Sequence, residues 1–206
     1  MKKFSFLYII LFSFYTAIGQ SNTDFKKQLT EARTAYTAGK LDDSRFAMQQ
    51  MLHELDMITG KEVLKLLPQK LMEHQAVSKA DNVTGTSGFL GVLIHREWGK
   101  EHKAADTSAN KNVSLEIISN SPLIATVNGL LSIPLIGNAG DNKVIKVGGY
   151  KALVTKVSAG DNEYSYDLQM PLNNSLLTLR APGLSQDQVI KLANALPVQE
   201  IAKMLQ

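Results

Sequence analysis

The sequence predicts an α+β protein: an N-terminal αα-hairpin followed by an antiparallel β-sheet, in the order β-β-α-β-β-β-α, with helices on one face. Apolar residues recur every three or four positions from Asp24 to Ile58, which is the helical period. From Phe89 the period falls to two, as in a strand with one buried face. Strand-like and helix-like stretches also segregate along the chain, which favours an antiparallel sheet over a doubly wound one.

Ahead of the hairpin, Lys2 and Lys3 precede an apolar and aromatic run from Phe4 to Tyr15 and the small-residue pattern Ala17-Ile18-Gly19. This is the anatomy of a cleavable signal peptide over residues 1–19, leaving Gln20 as the new terminus. The run is well short of the ~20 apolar residues of a membrane-spanning helix, so no transmembrane helix is expected in the processed chain. A periplasmic or secreted location follows. Cysteine is absent, which excludes disulfides, thiolate metal sites and a thiol nucleophile. The net charge of +3 counts Lys2 and Lys3, and the remaining basic residues are interleaved with acids. No nucleic-acid partner is expected from so dispersed a pattern.

Residues 20–71 form the predicted helical region. Phe25, Leu29, Ala32 and Tyr36 make one stripe; Met48, Met51, Leu52, Leu55 and Ile58 make a second after the break at Gly39-Lys40. So short a break requires the helices to fold back on each other. Thr59 is placed to cap a third short helix through Leu67, ended by Pro68. Residues 72–88 are polar and rich in small side chains, and read as a linker. The α+β domain spans 89–206. Its first strand, Phe89–Trp98, alternates Leu90, Val92, Ile94, Arg96 and Trp98 against Phe89, Leu93, His95 and Glu97.

A loop from Gly99 to Lys111 leads to a strand over Val113–Ile118. Ser121-Pro122 opens a helix whose stripe is Leu123, Ile124, Val127, Leu130 and Leu131, with Pro134 closing it. Strands follow over Lys143–Val157, broken or bent at Gly148-Gly149, then Glu163–Met170 and Ser175–Arg180. The first two are joined by a turn at Ala159-Gly160-Asp161-Asn162. Ser185 with Gln188 opens a helix through Leu196, and Pro197 separates it from a last helical stretch, Val198–Leu205.

The segment Ala35-Tyr36-Thr37-Ala38-Gly39-Lys40-Leu41-Asp42-Asp43-Ser44 resembles the middle of a tetratricopeptide repeat, with Ser44 in the place of the small residue that opens the second helix. The resemblance implies a protein-contact role, and a single copy implies that the hairpin covers its stripe with the rest of the chain or with a partner. Gly148-Gly149-Tyr150-Lys151-Ala152, the Tyr-rich strand and the terminal helix make residues 143–196 similar to PsbP-like and lipoprotein-carrier sandwiches. That likeness implies an apolar ligand held between sheet and helices. The whole chain resembles exported bacterial envelope proteins.

Chemistry-bearing residues are sparse. His95, Arg96, Glu97, Trp98 and His102 form the densest cluster, and His95, Arg96, Trp98 and His102 are the candidate partner-binding residues, with Met48 and Met51 of the hairpin as an adaptable apolar face. His95, Glu97 and His102 match no known metal spacing, so no metal is expected. His53-Glu54 lacks a second His where a zinc-protease helix needs it, since Met57 stands there. Gly85, Gly88 and Gly91 precede a strand instead of opening a helix, and no Ser sits in a nucleophile elbow. No cofactor is expected. Asn82, Asn112 and Asn173 begin glycosylation sequons.

Two functional readings follow. One is a non-enzymatic exported envelope protein acting on a protein partner. The other is a carrier of a lipid or other apolar ligand, its cleft lined by Tyr150, Tyr164, Tyr166, Leu123 and Val127. A hydrolase or metal enzyme ranks behind both.

Overall fold

The computed structural model describes residues 17–85, 91–101, 111–133, 140–160 and 163–206. The expected leader falls outside the described residues as far as position 16, and His102 lies outside them too. The chain divides into two compact units, Met1–Glu54 and Leu55–Gln206. The division falls inside a helix, whereas the sequence places its boundary in the 72–88 stretch.

The first unit is a helical hairpin built from α1 (Ala17–Thr37) and the start of α2 (Leu41–Leu66). Gly39, at φ 73°, takes the left-handed conformation that lets the chain reverse after α1. Only small side chains are buried among the described residues of this unit: Ala32, Ser44 and Ala47. The Ser44 hydroxyl donates to the Ala32 carbonyl at 2.9 Å, which fixes the level at which the helices meet.

Thr59 does not start a new helix. α2 runs unbroken to Leu66, because nothing between Asp43 and Leu66 stops it until the Leu67-Pro68 step.

The second unit is built on a seven-stranded antiparallel sheet in the order β3-β4-β5-β9-β8-β7-β6, with a two-stranded β1-β2 pair beside it. The strands are β1 (Lys70–Leu71), β2 (His74–Gln75), β3 (Asn82–Gly85), β4 (Val92–Trp98), β5 (Val113–Ser119), β6 (Asn142–Val147), β7 (Tyr150–Gly160), β8 (Glu163–Leu172) and β9 (Ser175–Pro182). The expected linker is therefore mostly ordered structure: it supplies β2, a 3-10 turn at Ser78–Ala80 and the edge strand β3. Its polarity reflects an edge position, where one side meets water. The 143–157 stretch is two strands, since Gly148 and Gly149, at φ 56° and 91°, make a tight hairpin turn instead of a bend. Phe89 and Leu90 lie outside the described residues, as do Pro134, Asp161 and Asn162.

One sheet face carries the main core. It includes Val92, Ile94 and Trp98 of β4, Val113, Leu115 and Ile117 of β5, Leu177 and Leu179 of β9, and Leu168 and Met170 of β8. The end of α2 (Val63, Leu67) joins this cluster together with α4 (Gln186–Asn194) and α5 (Val198–Met204). At the start of α4 the capping box is complete: the Ser185 hydroxyl accepts from Gln188 N–H and the Gln188 side chain accepts from Ser185 N–H. The helix α3 (Leu123–Ser132) stands apart. Its Val127 and Leu131 cluster with Leu153 and Leu176, whose side chains alternate with Val154 and Leu177 and so point to the opposite face.

Candidate functional site

The residues expected to form a partner surface at the end of β4 divide between two faces. Arg96 and Trp98 share the core face and are buried, at 3% and 0% exposure. The Arg96 guanidinium is paired with the Asp81 carboxylate, Nε to Oδ1 at 2.8 Å and Nη2 to Oδ2 at 2.5 Å. Its Nη1 also donates to the Leu67 carbonyl at 2.6 Å, while Trp98 Nε1 donates to the Pro68 carbonyl at 2.8 Å. A helix leaves its last carbonyls without internal partners. Both polar tips thus satisfy the backbone just past the end of α2, so Arg96 and Trp98 are structural and closed to a partner. This corrects their reading as a binding hot spot.

His95 lies on the other face, half-buried, between two carboxylates. Its Nε2 is 3.2 Å from Glu97 Oε1 and its Nδ1 is 3.8 Å from Glu116 Oε1. Strand register extends the row across the sheet: His95 pairs with Glu116, Glu116 with Thr178, and Ser114 with Arg180, which pairs with Asp167. Arg180 reaches Glu116 at 3.7 Å and Asp167 at 3.5 Å. Burial pushes the Asp167 carboxyl above the usual carboxylate range; Arg180 opposes that shift and Glu116 adds to it. Asn112 closes the base of the adjoining loop, its Nδ2 donating to Glu97 Oε2 and the Lys100 carbonyl at 3.1 and 2.9 Å. Because this side chain is buried and bonded, Asn112 is no glycosylation acceptor in the folded chain.

His95 thus joins Glu97, Glu116, Arg180 and Asp167 in a mixed-charge ladder over four strands. It can exchange protons and hold polar groups, but no group of three or more His, Asp or Glu among the described residues is arranged for a metal ion. Sequence reasoning missed Glu116, Asp167 and Arg180. The available signal was their shared parity on strands that alternate polar with apolar residues.

The residues proposed to line an apolar cleft also separate. Tyr150, Tyr164 and Tyr166 share parity with Ala152 and Leu168 on the main-core face, whereas Val127 of α3 packs on the opposite one. Tyr164 is half exposed and lies under Lys156, whose Nζ is 3.6 Å from the ring centroid. Leu123 is exposed and Val127 buried. The cleft beside α3, of about 280 Å³, is lined by Asn128, Leu131, Ser132, Lys151 and Pro171, and includes none of the five. It falls below the ~300–1,000 Å³ usual for ligand pockets. The predicted single cleft is therefore corrected: its residues stand on both sides of one sheet.

On the hairpin, Met48 is exposed at 49% and Met51 is half-buried. Leu29, Tyr36, Leu41, Phe46 and Leu52 are exposed as well. No helix among the described residues is long and apolar enough to cross a membrane. No family model matches the chain, and no curated protein or solved structure does either.

Proposed function

We propose that this is a non-enzymatic, exported envelope protein that works through protein contacts made by its N-terminal hairpin. The single observation that carries the reading is the mismatch within that hairpin. Among the described residues its seam buries only Ala32, Ser44 and Ala47, while Leu29, Tyr36, Leu41, Met48 and Leu52 stand at 46–65% exposure. Large apolar side chains gathered on one element and left in water mark an interaction surface. Export rests on the charged, apolar and small-residue order of positions 1–19.

The test is a pair of exposed-face substitutions, Met48→Asp and Leu52→Asp. Being surface changes, they should alter unfolding free energy by no more than about 0.5 kcal/mol each. They should also abolish cross-linking from a photoreactive residue placed at Tyr36. A large loss of stability would show these side chains to be internal packing, and unchanged cross-linking would overturn the reading.

A further inference from the structure

We infer that the sheet face opposite the main core, where β8, β9, β5 and β4 lie side by side, holds a site for a neutral saccharide. Strand register sets Gln169, Thr178 and Glu116 in one row there, with Asp167 and Arg180 in the next. At the centre, Thr178 is only 8% exposed, yet its hydroxyl makes no hydrogen bond among the described residues. A buried hydroxyl left unpaired calls for a partner, and this one stands on the same face as the registered Glu116 and Gln169. The charged groups around it are spaced apart. Arg180 stands 3.7 Å from Glu116 and 3.5 Å from Asp167, and His95 Nδ1 is 3.8 Å from Glu116. Hydrogen bonds close to ~2.7–3.2 Å, so these groups keep bonding capacity for an oxygen set among them.

The order of charge selects the ligand. Glu116, Arg180 and Asp167 present an acceptor, a donor and an acceptor on three adjacent strands, about 4.8 Å apart. A cation laid on them would meet Arg180, and an anion would meet two carboxylates. A hydroxyl donates and accepts at once, so a run of hydroxyls satisfies all three groups and Thr178 with them. The row on the other side of Thr178 and Glu116 is apolar, with half-buried Leu93 opposite half-buried Ile118. That strip takes the C–H face of a pyranose ring whose hydroxyl edge lies on the polar rows. Among the described residues no Phe, Tyr or Trp stands on this face of the four strands to stack on the ring, so the expected dissociation constant is about millimolar. The site lies wholly within the second unit, so it stands or falls apart from the hairpin.

Titration of the full chain with cellotriose, maltotriose and chitotriose, followed by backbone amide chemical shifts, tests this. At least one of these should give saturable shifts centred on Glu116, Thr178 and Arg180, while glycine, spermidine and citrate give none. Thr178→Val removes only an unpaired hydroxyl, so its melting temperature should hold while binding weakens about tenfold. Arg180→Met, at a half-exposed position, should weaken binding by at least as much. Binding by Thr178→Val equal to wild type, shifts of equal size with a charged probe, or no saturable shift at this face with any of the three saccharides overturns the inference.

Discussion

Arg96 is the residue on which the C-terminal end of α2 depends. A guanidinium taken almost wholly out of water is costly unless it is paired and hydrogen-bonded, and here Asp81 neutralises it while Asp81 and the Leu67 carbonyl accept from all three of its nitrogens. Asp81→Ala should therefore destabilise by about 3–5 kcal/mol in urea unfolding, because it strands a buried charge. Arg96→Met combined with Asp81→Ala should lose less than Asp81→Ala alone. Trp98→Phe keeps the apolar ring but leaves the Pro68 carbonyl without its donor, and should cost about 1–3 kcal/mol. Asp167 behaves in the opposite way. Its carboxyl is raised by burial, so the folded state favours the protonated form. The stability it contributes is full below the ordinary carboxylate range and is lost as pH rises through the raised value. Asp167→Asn should thus gain stability over wild type near pH 7 and lose that advantage at about pH 3.5, measured as urea midpoints at both. At this scale alternation along β4 was legible, and it correctly grouped Arg96 and Trp98 with Val92 and Ile94. What it does not reveal is that a polar tip on a buried face has found partners 15 to 30 residues away.

Helices and strands were legible wherever a segment carried its own signals. The Ser185 capping box, the Gly39 reversal and the period-two pattern of β4 and β8 are local facts, and each element stands where they place it. The 72–88 stretch failed because β2 and β3 are two and four residues long, too short for any period to show. Gly148-Gly149 was ambiguous for another reason, since a glycine pair serves a bend or a turn equally and only pairing of Val147 with Tyr150 decides. Gly60 gave no sequence signal. Mid-helix in α2, it permits close approach to the sheet: an added Cβ would lie 2.8 Å from Val83 Cγ1 and 2.9 Å from Val92 Cγ2. Gly60→Ala would gain about 1 kcal/mol of helix propensity and meet an overpacking cost of about 1–3 kcal/mol. The expected outcome is a net lower melting temperature in thermal unfolding, in contrast to Gly129→Ala on α3, where the added methyl meets nothing within 4 Å.

Across the whole molecule the α+β class was legible, but the strand order was not. β3-β4-β5 and β6-β7-β8-β9 are two meanders, and they join edge to edge where β5 meets β9, with Leu115 opposite Leu179. No local pattern encodes that meeting, and the charged ladder of His95, Glu116, Arg180 and Asp167 exists only because of it. The same joint has a meaning in time. β9 is the last strand to be synthesised and the one that completes the centre of the sheet, so until it arrives β5 and β8 both present open edges. Pairings this distant in sequence also form slowly. The chain therefore spends its synthesis unable to finish its own sheet, and the centre of the fold is the last part of it to close.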